Sequence, residues 1–382
     1  MRGPAVASLS IALWVAAACG DDGTGSGGEG AAGAGASGAG AAGGGTAGGG
    51  PTGDIVGPIT RFDVALDLAA KTSRSEVAVD VAAPGGDCWS VAVRFDGAAV
   101  DLGGVAHDGA TLRACGPGLG AGAHAIGADV SLMAETFHGL DVGLSETEDL
   151  GGSTFTYLLS WVGGCDHFGP CDDTPSLQAH FTFEIAHAEG TVALCPGILT
   201  PGATSTRCEI LGTPAPTYSA YAAMTNPAWV RTPFVSAGGV DVVFYEVPGG
   251  AIAASLDPTS VSEFLVWITE LLGPLPYGPE LRVAGGPTEW LGFEHPANIV
   301  LYEAIGGLET AYEDTAMHVF MHEVVHQWAG DRTTLATAQD FAWKEAIAEY
   351  LPYVFEEEAR PAAEAASALA YWDDVSLQSD YH

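Results

Sequence analysis

The apolar residues of this chain change their spacing once, and that change limits the fold to two unlike halves. Phe62, Val64, Leu66 and Leu68 alternate with polar or small residues, as do Val77, Val79 and Val81, and then Trp89, Val91, Val93 and Phe95. A period of two puts such side chains on one face of a strand. The alternation returns at Phe181, Phe183 and Ile185 and at Val240, Val242 and Phe244, with Gly and Pro clusters between. Residues 55–240 therefore read as a β-rich domain, a twisted sheet or sandwich. Beyond them Val261, Phe264, Leu265, Ile268, Leu271 and Leu272 follow helical spacing, begin after Asp257-Pro258 and stop at Gly273-Pro274. Pro at the first helical position and Gly just past the last are ordinary start and stop signals. Two more helices are expected, over about 313–328 and from about 340 onward. The fold class is α+β, with residues 241–382 forming a second, mainly helical domain.

The first residues have a different purpose. Arg2, an apolar run over 5–18 and three alanines leading to Cys19 read as an export signal over residues 1–19. The run is too short to span a bilayer. Small residues ahead of a cysteine resemble the lipobox of bacterial lipoproteins, in which the cysteine thiol is lipidated, although Ala16 stands where a Leu is usual. Cleavage without lipidation stays open, and export follows from both. Residues 20–54 are almost entirely small residues, a Gly/Ala-rich segment that cannot bury enough apolar surface to offset its ordering entropy. It reads as a disordered tether with an r.m.s. reach of roughly 30 Å. The expected location is outside the cytoplasm, anchored by lipid to a membrane and facing the periplasm or the cell surface.

Twelve Lys plus Arg stand against 48 Asp plus Glu, a formal charge of −36. Such a surface repels phosphate backbones, and nucleic acid is excluded as a partner. Besides Cys19 there are cysteines at 88, 115, 165, 171, 195 and 208, an even number in an exported chain and so a framework for disulfides. Their order does not fix the connectivity. Pairing neighbours, Cys88 with Cys115, Cys165 with Cys171 and Cys195 with Cys208, requires the least chain closure.

The chemistry lies on the second expected helix, at His322-Glu323-Val324-Val325-His326. Imidazoles four residues apart project from one face of a helix and reach the same metal ion, and the glutamate between them reaches the water that the ion binds. One turn earlier, His318 faces the same way, as a lining or solvated residue rather than a ligand. Trp343-Lys344-Glu345-Ala346-Ile347-Ala348-Glu349-Tyr350 occupies the next helix, with eighteen residues between His326 and Glu345.

This spacing resembles the gluzincin metallopeptidases. The run His326-Gln327-Trp328-x-Gly330-Asp331 followed by Trp-x-Glu-x-x-Ala-Glu-Tyr resembles, more narrowly, the family of membrane alanyl aminopeptidase and leukotriene A-four hydrolase. The segment from Phe168 through Pro170-Cys171-Asp172-Asp173-Thr174-Pro175 to Phe181 is similar to that family's Pro-Cys-Phe-Asp-Glu-Pro-x-x-Lys-Ala-x-Phe. Thr213-Pro214-Ala215-Pro216-Thr217-Tyr218 is similar to its Thr-Pro-Pro-x-x-Thr-Tyr. Gly292-Phe293-Glu294-His295-Pro296 is placed like its Gly-x-Met-Glu-Asn motif, with Phe for Met and His for Asn. The resemblance covers about residue 57 to the end.

It implies one Zn2+ per chain, held by His322, His326 and Glu345, with the fourth position open for catalysis. It implies Glu323 as general base, Glu294 with Gly292 as the site that binds the free α-amino group of a peptide, and Glu349 as an outer partner of a zinc-bound histidine. The second domain is then the start of a thermolysin-like catalytic domain, and the expected activity is removal of N-terminal residues from peptides. The family's oxyanion tyrosine would fall past His382, and Tyr381 comes too soon to replace it, so the chain reads as truncated. Two other readings stand beside this one: a lipoprotein that binds peptide or protein around an incomplete zinc site without catalysis, and an endopeptidase.

Overall fold

A computed structural model describes residues 59–81, 88–92, 100–101, 111–115, 122–137, 140–161, 164–165, 169, 171, 174–288, 290–308, 315–337, 340–359 and 366. The export signal, Cys19, the tether, Val93, Phe95 and Tyr381 lie outside these residues. Within them three sheets stack in layers.

The outer layer is a seven-stranded sheet in the order Val100–Asp101, Gly122–Ser131, Thr72–Val81, Ile59–Asp67, Gln178–Ala186, Ser205–Pro216 and Ile198–Thr200. Its central pair, Ile59–Asp67 with Gln178–Ala186, is parallel. The alternating residues Phe62, Phe181, Phe183 and Ile185 all turn inward and are buried. The Phe62 and Phe181 rings stack at 4.8 Å, and Tyr221 meets Phe62, Phe181 and Phe183 edge-on. Such offset and edge contacts add to the burial of the rings.

The middle layer runs Ala134–Phe137, Leu140–Glu148, Thr154–Leu159, Ala222–Asn226 and Val192–Leu194. One of its faces gives Leu158 and Ala223 to the core under the outer sheet. The other gives Phe155, Tyr157, Leu159 and Met224 to a second core shared with the third sheet.

The third sheet runs Val230–Ala237, Val240–Glu246, Glu280–Gly286, Asn298–Tyr302 and Gly292–His295. Its three inner strands are parallel and its two edge strands antiparallel. Val243 and Tyr245 face the middle layer, while Val242 and Phe244 face the helices. Both faces are covered, which is why Val240–Glu246 is a nearly unbroken apolar run. The helices Pro258–Leu272, Thr315–His326 and Phe341–Ala359 cover the far face, with Phe264, Phe320, Val324 and Val325 meeting Leu281, Val283 and Ile299. Asp257 caps the first of them by accepting from the Ser260 N–H at 2.9 Å, and Gly273 ends it with φ of 90°.

The expected division at residue 240 falls inside a hairpin, since Val230–Ala237 pairs with Val240–Glu246. Alternation shows that a segment is a strand but not which sheet it joins, and this hairpin opens the second region. In that region a sheet carries helices on one face, so helices follow the β-rich N-terminal part as expected. Cys165 bonds Cys171 and Cys195 bonds Cys208, with Cα atoms 6.2 and 5.8 Å apart. Cys88 and Cys115 stand opposite one another in the ladder of Cys88–Ala92 with Thr111–Cys115. No helix among the described residues is long and apolar enough to cross a membrane.

The outer core turns on the stacked phenylalanines. Phe181→Ala should destabilise the chain by about 3–5 kcal/mol through lost burial and an unfilled cavity. A lowered denaturation midpoint at unchanged slope is the expected observation.

Candidate metal centre

His322 and His326 sit on the last turn and a half of the helix Thr315–His326, and Glu345 sits on the helix Phe341–Ala359 beside it. Their metal-binding atoms converge. His322 Nε2 and His326 Nε2 are 3.0 Å apart, and Glu345 Oε2 lies 3.2 Å from the first and 3.5 Å from the second. Three donors held at ~2.0–2.1 Å from one tetrahedral ion stand roughly 3.3 Å from each other. The other ring nitrogens are already engaged. His326 Nδ1–H donates to the Ala329 carbonyl at 3.0 Å, and His322 Nδ1–H donates to Glu349 Oε2 at 3.0 Å. Both Nε2 lone pairs therefore point to one place together with a carboxylate oxygen, an arrangement that a cation relieves and that suits Zn2+.

Glu323 projects from the same helix toward the edge strand Gly292–His295. A side chain on Gly292 would overlap Glu323 Oε1 and bring its Cβ to 2.7 Å from Cδ, so this glycine makes room for the carboxylate. That is a packing role beside the substrate-binding one expected of it. Oxygen or nitrogen atoms of Glu294, Glu323 and His326 lie within 4.8 Å of one another. Strand alternation gives the edge strand two duties: Gly292 and Glu294 face the helices, while Phe293 packs against Trp161 at 5.2 Å and His295 against Tyr157. The His295 ring donates to the Ser219 carbonyl at 2.7 Å and accepts from the Tyr157 hydroxyl at 2.6 Å, and burial lowers its pKa to about 4.

Charge is concentrated here. Burial pushes the Glu323 carboxyl up to about 8, with Glu294 adding to the rise against His322. Burial opposes the charge of Glu345 as well, but Lys344 and His326 hold it well below the usual carboxylate range. Glu349 is also lowered despite burial, because His318 and His322 both bond it. His318 is buried rather than solvated; it donates to Glu349 Oε1 at 3.0 Å and faces Glu356 at 3.4 Å.

Residues 297–381 match the model of the peptidase family M1 domain. The segment that carries this site belongs to peptidase family M1. A search of curated proteins returns no match. Among solved structures the chain is similar to a two-domain M1 zinc metallopeptidase bound to L-tryptophan, at 19% identity and a TM-score of 0.65, over 85% of this chain and 76% of that one. An M1 zinc metallopeptidase from Deinococcus radiodurans with a Tyr-Ser-Ala substrate gives 19% identity and 0.63, over 84% and 75%. Yeast LTA4 hydrolase in complex with Bestatin gives 16% identity and 0.66, over 83% of this chain and 51% of that one. These likenesses are of fold. The M1 match over residues 297–381 is what supports a zinc metallopeptidase, with Zn2+ as its metal.

Two contributors in the M1 segment were not singled out by sequence. Gln327, directly after the second histidine, accepts from the Ala297 N–H at 2.7 Å and donates to the His295 carbonyl at 3.0 Å, tying the edge hairpin to the motif helix. Lys344 is buried between Glu294, at 2.7 Å, and Glu345, at 2.8 Å. Its signal was present: Phe341, Lys344, Ala348, Pro352 and Phe355 form the buried stripe of their helix, and a lysine at such a position needs a buried anion.

His318 gives a pH dependence. Burial works against its charge, but Glu349 and Glu356 raise its pKa to about 9, against ~6.5 unfolded. Below that lower value both states hold the proton and the contribution is full. As pH rises toward 9 the folded state alone keeps it, so the contribution is lost. The stability advantage of wild type over His318→Gln should shrink by roughly 3 kcal/mol between pH 6 and pH 9.5 in denaturant titrations.

Proposed function

We propose that this M1 zinc metallopeptidase is an aminopeptidase that removes N-terminal residues from peptides outside the cytoplasm. The observation that carries this reading is the Glu294 carboxylate within 4.8 Å of Glu323 and His326, at the edge of the donor set. A carboxylate fixed there pairs with an ammonium, which places the first peptide bond of a substrate at the metal.

His322, His326 and Glu345 would hold the zinc, with Glu349 and the Ala329 carbonyl keeping both imidazoles in the ligating tautomer. A zinc held there would supply Lewis acidity toward a scissile carbonyl and acidify water. Glu323, in its ionised form, would accept the water's proton. Its Oε2 is buried with no hydrogen-bond partner, free to accept. As the carbon–nitrogen bond breaks, Glu323 passes the proton to the leaving amine. Tyr350 is largely exposed.

Metal analysis should find one zinc per chain in the wild type and none in His326→Ala; equal content in both would remove the site assignment. Glu323→Gln should keep the zinc and lose hydrolysis of aminoacyl substrates. A wild type that binds zinc and peptide without cleaving would instead be the binding lipoprotein, and cleavage within N-terminally blocked proteins would make it an endopeptidase.

The location is part of the same proposal, with lipid on Cys19 as the anchor and residues 20–54 as the tether. Cys19→Ala should move the protein from the membrane fraction to the soluble exported fraction. A wild type already soluble would mean cleavage without lipidation.

A further inference from the structure

We infer that His318 is a positioning residue for the metal: it holds Glu349 against His322 and so strengthens the grip of the centre on zinc. The inference rests on the zinc site of the proposed function and not on which peptides are cut.

Spacing along the two helices prepares the arrangement. His318, His322 and His326 follow one another at four residues along Thr315–His326, and Glu345, Glu349 and Glu356 lie four and then seven residues apart along Phe341–Ala359. Four residues are about one helical turn and seven about two, so each set keeps to one face. The sets meet as a ladder. Glu345 faces His326 and His322, Glu349 faces His322 and His318, and Glu356 faces His318. Only the first of these rungs offers atoms to the metal.

The two ligating rings are held differently. His326 is 1% exposed, and its Nδ1–H donates to a backbone carbonyl three residues on, that of Ala329. His322 is 16% exposed and depends on a side chain, Glu349, which is itself 36% exposed. A long side chain beside solvent gives up rotamer freedom to stay on one partner. A single bond from His322 Nδ1–H, at 3.0 Å, is a weak restraint on it.

His318 supplies the second restraint. Its Nε2–H donates to the other oxygen of Glu349 at 3.0 Å, so rings one turn apart hold both oxygens. His318 cannot follow the carboxylate outward, because it is buried and its Nδ1 lies 3.4 Å from both oxygens of the buried Glu356. With a proton on each nitrogen the ring carries a positive charge, which opposes a cation nearby. Glu356 balances that charge on the side away from the donors, so the larger contribution is position.

The test measures zinc affinity by competition with a chromophoric chelator. Wild type, His318→Leu and His318→Gln are compared, each with Glu349 intact and with Glu349→Ala. Losing the partner of a ligating histidine costs roughly 10–100-fold in metal affinity, so His318→Leu should raise the zinc Kd about tenfold or more. His318→Gln, whose amide still donates to Glu349, should stay within about threefold of wild type. In the Glu349→Ala background the residue at 318 should no longer matter, since it acts through the missing carboxylate. A His318→Leu protein that binds zinc as wild type does overturns the inference. So does a loss of equal size with and without Glu349, which a general loosening of the helices would give. Should the leucine variant fail to fold, His318→Asn, polar but too short to reach Glu349, takes its place with the same expected loss. A wild type that binds no zinc would remove the centre and this inference with it, whereas one that binds zinc and cleaves no peptide would remove the aminopeptidase reading alone.

Discussion

A chain of buried charges holds the two helices of the site against each other and against the edge strand. Glu294 on the strand, Lys344 and Glu345 on one helix, and His322 and His326 on the other are in contact in sequence. Glu349 then bridges His322 to His318, which faces Glu356. Taking such groups from water costs several kcal/mol per ion, and their pairing repays it when each has its partner. The value of the network is therefore geometric as much as energetic. Any relative slide of the helices would leave a charge alone in a buried place, so the donors stay at the separation that a metal requires.

The sheets supply the frame for that network. Phe293 and His295 turn from the edge strand into the core shared with the middle layer, and Gly292 and Glu294 turn the other way. Because successive side chains of a strand face opposite sides, anchoring the first pair aims the second. Gln327 then bonds both the turn and the strand of this hairpin from the end of the motif helix. Glu294 is positioned by the N-terminal layers on one side and by the motif helix on the other.

The two histidines of the candidate centre were readable because a helix fixes the spacing of its side chains: four residues apart on one face, they have few ways to be arranged. Glu345 came from the resemblance to the gluzincin pattern, and Glu349 from its place one turn on along the same helical face. The helix Pro258–Leu272 was readable at both ends, where Asp257 and Gly273 act through their own local geometry. What could not be read depends on contacts distant in sequence. Alternation at Val240, Val242 and Phe244 identified a strand, but its partner Glu280–Gly286 lies across a helix, so its sheet was misassigned. His318 was placed on the correct face of its helix as a lining or solvated residue; it is buried, and the Glu356 that faces it comes from another element, which its own helix does not show. Lys344 escaped for a similar reason: beside Glu345 it resembles an ordinary helix charge until Glu294 is seen opposite.

The substitutions around Glu294 acquire a common explanation in three dimensions. His295 is wholly buried and neutral near physiological pH, with both ring nitrogens bonded to the N-terminal half. It anchors the strand and carries no charge to the site. Phe293 fills the aromatic group with Trp161 and Trp290. Both residues therefore act on the far side of the strand from the reaction and leave the site's charge unchanged. Lys344 does alter that charge, since it is the ammonium set among Glu294, Glu345 and the nearby Glu323.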